Sequence, residues 1–161
     1  MYNTSDFIFL ERPPRSRNER LLSIGLLFRA YTFLGIIEAV AGMSGYFYVL
    51  FTSGWQWGQH LGSNDPLYLQ ATTACLAAII IAQMTNLFAC RSDINSVLRI
   101  SLKSNPFIIW GLVWEFGVLL LLVYTWPGRA LFRTRPLSAD VWLFLMIFPP
   151  VLILADEMSM V

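Results

Sequence analysis

Residues 67–90 read LYLQATTACLAAIIIAQMTNLFAC. The run is long enough to cross a bilayer core, which takes about 20 helical residues. A plain anchor would carry only hydrocarbon, but this one carries two amides, Gln83 and Asn86. At the helical period, Ala71, Cys75, Ala78, Ala82 and Asn86 fall on one narrow stripe, and Gln83 shares its flank. Small residues let a second helix come close, and an amide in the membrane needs a partner. Two readings stand side by side. The amides either bind helix to helix, or offer carbonyl oxygens to a hard cation, which oxygen ligands suit.

Working outward, the rest of the chain has the same character. Of 161 residues, 57% are hydrophobic and 13% charged, whereas soluble domains carry about a quarter charged residues. The charges are bunched between apolar runs at 21–52, 67–90, 106–126 and 139–155. These runs predict an all-α, four-helix transmembrane bundle, a polytopic integral membrane protein over 21–158 with a cytosolic segment at 1–20. A net charge of +1 with no basic, aromatic-interleaved patch gives no footing for nucleic acid. Cys75 and Cys90 lie fifteen positions apart in one run, about 22 Å along a helix and beyond disulfide reach. His60 stands alone in a loop. No phosphate-cradling glycine loop, zinc spacing or Ser-His-Asp set can be assembled.

The first run places Glu38 near mid-depth beside Gly35, Ala39, Gly42 and Gly45, and the third places Glu115 near its middle. An intramembrane carboxylate is by default a functional candidate, although a Glu buried between helices as a hydrogen-bonded packing group is an equal alternative. Trp126-Pro127-Gly128 is expected to end the third span, leaving Arg129, Arg133 and Arg135 in a short loop. Pro149-Pro150 interrupts the fourth and frees carbonyls that neighbours must satisfy. Between the second and third spans, Ile94, Val97, Leu98 and Ile100 could line a short surface helix. Arg29 near the start of the first run can snorkel to the headgroups, and Asn18 or Ser23 could cap it.

The opening MYNTSDFIFLERPPR has no basic start, sustained apolar core or small-residue cleavage site, so insertion is expected to rest on the internal spans. Four spans put both termini on one side. Arg12, Arg15, Arg17, Arg20, Arg91, Arg99 and Lys103 share that side, against Arg129, Arg133 and Arg135 on the other. The positive-inside rule then places both termini in the cytosol.

Several motifs, taken in order, resemble a known family. Arg12-Pro13-Pro14-Arg15 with Glu19-Arg20-Leu21 is followed by Gln83-x-x-Asn86-x-x-Ala89-Cys90-Arg91, Asn95-Ser96-Val97, Gly111 and Glu115. Pro127-Gly128, Pro136-Leu137, Trp142-Leu143 and Asp156-Glu157 complete the series. This order resembles the last four membrane helices of P-type cation-transporting ATPases of the calcium- and sodium-pump branch, over about residues 11–158. The resemblance implies helices that flank and brace a transport core, in the plasma membrane. It implies that Gln83, Asn86 and Glu115 are cation-binding positions, for calcium, sodium or a similar transported ion. Calcium pumps typically carry Glu at the position of Gln83 and Asn at that of Asn86, and sodium pumps carry Gln then Asp. This chain has the neutral pair Gln then Asn, and the family varies at Glu38.

The Asp-Lys-Thr-Gly phosphorylation motif, the nucleotide domain and the first six helices of such pumps do not occur in this sequence, nor do the family's basic residues after Glu157. The chain is therefore expected to need no cofactor of its own and not to hydrolyse ATP alone. Its expected partners are the lipid bilayer and the remaining helices and cytosolic domains of a P-type ATPase. The alternatives are a stand-alone membrane scaffold that binds a partner pump, and a small proton-coupled exporter.

Overall fold

A computed structural model describes residues 35–89 and 106–159. The expectations for residues 1–34, including Asn18, Ser23 and Arg29, and for 90–105, including Cys90 and the surface helix, lie outside the described residues. All regular structure among the described residues is helical. The helices are α1 (Gly35–Thr52), α2 (Pro66–Ala89), α3 (Pro106–Tyr124), α4 (Trp126–Phe132), α5 (Ala139–Leu145) and α6 (Phe148–Ser159). Three of them, α1, α2 and α3, are long and apolar enough to cross a membrane, and 139–155 is a shorter apolar stretch.

Local chemistry sets the helix ends. In α1, the Thr52 hydroxyl donates back to the Tyr48 carbonyl at 2.7 Å. The helix then closes by a Schellman motif, with Trp55 N–H on the Leu50 carbonyl at 3.0 Å and Gly54 on that of Phe51 at 3.1 Å. That motif needs a left-handed residue, which Gly54 supplies at φ 79°. The α2 helix starts where Asp65 accepts from the Leu67 N–H at 2.8 Å, with Pro66 in the first helical position, whose missing N–H costs nothing there.

α2 is the hub: it touches α1, α3, α5 and α6. Its Ala71, Ala74, Ala77, Ala78 and Ala82 are all but inaccessible. α1 lies antiparallel on it through glycines. A Cβ at Gly42 would lie 3.2 Å from Cys75 Sγ and from Ile79 Cγ1, and one at Gly45 would lie 3.1 Å from the Ala74 carbonyl oxygen. Thr72, Thr73 and Thr85 donate back to carbonyls of Tyr68, Leu69 and Ile81, so α2 carries its hydroxyls through the apolar layer without unmet donors. The core gathers Val49 and Leu50 from α1, the α2 alanines with Ile81, Leu119 and Val123 from α3, and Leu137, Val141 and Leu145.

Two details differ from the linear reading. Trp126-Pro127-Gly128 does not open a loop; it starts α4, which turns back against the end of α3. Gly128 makes the turn feasible, because a Cβ there would lie 2.6 Å from the Leu122 Cα. Arg129 therefore stands on a helix, and Arg133 is its left-handed cap at φ 57°. The fourth segment is split into α5 and α6 at Met146–Ile147, one turn ahead of Pro149. The two prolines cannot donate to the carbonyls of Leu145 and Met146, and both sit in the first turn of α6, where the N–H is not needed. A relay closes the bundle: Trp142 Nε1 donates to the Tyr124 hydroxyl at 2.8 Å, which donates to the Leu137 carbonyl at 2.9 Å.

Candidate intramembrane site

The α1–α2 contact continues past its glycines to a polar pair. One turn beyond Gly42, away from the 53–65 loop, Glu38 meets Asn86 of α2. The Asn86 side-chain Nδ2 donates to Glu38 Oε1. Both residues are half-buried. The packing explains why they reach each other: Gly42 and Ala82, the latter 0% exposed, set an interhelical gap that only short side chains tolerate.

Asn86 has a second polar atom. Its Oδ1 is buried and has no hydrogen-bond partner among the described residues. An amide oxygen shut away from water without a donor costs about 1–3 kcal/mol, so its position calls for an explanation. The geometry supplies half of one. The carboxylate fixes the amide by its donor end, and the acceptor end is left without a donor. An oxygen so placed can accept a proton-bearing group or bind a hard cation.

The other two site candidates stand apart from this pair. Gln83, three residues earlier on α2, is exposed. Glu115 is half-buried on α3, nine residues before Tyr124, or about 14 Å along that helix. Neither has a hydrogen-bond partner among the described residues, and no three His, Cys, Asp or Glu side chains among them group to hold a metal. From sequence, Glu38, Gln83, Asn86 and Glu115 form one set of mid-depth oxygen-bearing side chains that could converge on a cavity; among the described residues a hydrogen bond joins only Glu38 and Asn86. The signal that could have singled out this pair is the matching small-residue stripe on both helices, which leads from Gly45 and Gly42 to Glu38 and from Ala78 and Ala82 to Asn86.

A multi-pass helical bundle with three membrane-length apolar helices and a polar pair between two of them is an integral membrane protein. The family described as "Cation transporting ATPase, C-terminus" matches residues 3–160, and the chain belongs to it. Similar proteins include the sodium/potassium-transporting ATPase subunit alpha-2 of Gallus gallus, 27% identical over 88% of this chain and 16% of its own length. The same subunit of Rattus norvegicus is 26% identical over 97% of this chain and 18% of its own, and that of Homo sapiens is 25% identical over the same shares. The chain thus spans less than a fifth of the relatives it matches.

Proposed function

We propose that this chain serves as the C-terminal membrane helices of a P-type cation pump, bracing the transport core and lending it cation-coordinating oxygens from Asn86, Gln83 and Glu115. The observation that carries this reading is the Asn86 amide, held by Glu38 at one end with its buried oxygen lacking a donor at the other. A site of that kind needs groups from helices beyond those described here, and the family supplies a reason for such helices to exist. The exposed amide of Gln83 and the half-buried carboxylate of Glu115 would then face those helices, and the transported ion, calcium, sodium or a similar cation, would be the substrate. The plasma membrane with both termini in the cytosol is the setting that suits this role.

The test is co-expression of the full chain with the ATPase subunit that it co-purifies with, followed by cation-dependent ATP hydrolysis in proteoliposomes. Asn86→Leu and Glu115→Gln should each raise the cation concentration for half-maximal activity by about tenfold or more, the size seen when a metal site loses a supporting group. Unchanged cation dependence in both variants would sink the coordinating role. Recovery of no ATPase subunit would favour an independent scaffold.

A further inference from the structure

The loop side of the bundle holds a second feature that the transport reading does not use. Between α4 with the linker that follows it and the start of α2 lies an open hollow of about 670 Å³ whose rim carries Arg129, Arg133 and Arg135. No Asp or Glu is among the residues that line it, and no salt bridge joins these arginines to a described carboxylate. The acids nearest to the hollow in sequence, Asp65 beside Asn64 and Asp140 beyond Arg135, are not among its lining residues.

The walls of the hollow are tied together by hydrogen bonds from the linker after α4 to α2, α3 and the loop before α2. The Arg135 N–H donates to the buried Thr73 hydroxyl at 2.9 Å, and Gln70 Nε2 donates to the Pro136 carbonyl at 3.2 Å. The Thr134 hydroxyl donates to the Leu122 carbonyl, and Arg133 Nη2 to Asn64 Oδ1. Arg133 itself adopts the left-handed conformation, which is uncommon for a side chain of this kind. Arg129 Nε reaches only the carbonyl of Thr125, at 3.4 Å. Three exposed arginines thus line one space, and no Asp or Glu lines it with them.

The same short helix shows what depth that space has. On α4, Trp126 is 76% exposed and Leu131 77%, with Phe132 also exposed beside the arginines. Aromatic and aliphatic side chains next to guanidinium groups suit the boundary between acyl chains and headgroups. Guanidinium forks bind phosphate oxygens two at a time. We propose that the Arg129–Arg133–Arg135 hollow binds the phosphate of an anionic phospholipid headgroup, with Trp126, Leu131 and Phe132 against its acyl chains.

The full chain, reconstituted in bilayers of phosphatidylcholine with phosphatidylglycerol and then extracted, tests this by native mass spectrometry of retained lipid. The wild type should keep phosphatidylglycerol over phosphatidylcholine, and each arginine changed to Gln should lower that preference about fivefold. Arg129→Gln alone is the safeguard, since its side chain makes only one weak backbone contact; a well-folded variant must show the drop. Arg→Lys at all three positions should keep part of the preference, because the charge remains and the fork is lost. Equal retention of both lipids by the wild type, or full preference in folded Gln variants, overturns the proposal. So does displacement of the lipid by millimolar inorganic phosphate, which would assign the hollow to a free anion.

Discussion

α2 and α3 are both long, apolar and free of Lys and Arg, yet the bundle treats them in opposite ways. α3 is the more apolar of the two and the less covered: Trp110 is 72% exposed and Trp114 76%, with Phe107, Val113 and Leu121 also uncovered. α2 is lined with alanine and threonine and sits at the centre of the contacts. Apolar surface therefore does not bring these helices together. In a bilayer, lipid tails satisfy leucine and tryptophan as well as a neighbouring helix does, so association falls to close backbone approach and to polar groups that lipid cannot satisfy. α2 meets both conditions, through its alanines against Gly42 and Gly45 and through Asn86. α3 meets only the second, and only at its loop-side end, where the Tyr124 hydroxyl donates to the Leu137 carbonyl and accepts from Trp142 Nε1.

The largest break in this contrast should come from Gly45→Leu. A Cβ there would lie 3.1 Å from both the Ala74 carbonyl oxygen and Leu145 Cδ2, so the longer side chain forces α1 off α2. Overpacking of this kind costs about 1–3 kcal/mol, and reversible unfolding in bicelles would measure it. A loss near zero would show that α1 and α2 are not held by close approach. A smaller effect is expected from the polar pair. A double-mutant cycle of Glu38→Ala and Asn86→Ala should give a coupling of about 1–2 kcal/mol, whereas additive losses would mean that the two side chains do not stabilise each other. Smallest is Trp114→Ala on the uncovered face of α3. It should leave the stability of this chain within about 0.5 kcal/mol, and a larger loss would show that α3 packs against the chain more than its exposure implies.

Much of the organisation was legible from residue order. The apolar lengths gave the helical class, and the stripe Ala71, Cys75, Ala78, Ala82 marked the packing face of α2, three of whose alanines are all but inaccessible. Asp65-Pro66 is also a legible start signal, a capping carboxylate before a proline at the first helical position. The course of the chain after α3 was not legible. Pro127 and Gly128 signal a break in any linear reading, and only contact with Leu122 shows that Gly128 lets a further helix fold back. The prolines at 149–150 gave the interruption of the fourth segment, but not that the break falls before them.

The sequence by itself determined which residues are apolar, which faces are small and which polar groups are sunk at membrane depth, because these depend on composition and on the helical period. It could not say that Glu38 meets Asn86, nor that three arginines from α4 and the following linker surround one hollow. Those are matters of register and rotation between elements far apart in the chain. They are set jointly by every close contact along the α1–α2 seam and at the α3–α4 corner, and no single stretch of sequence contains that sum.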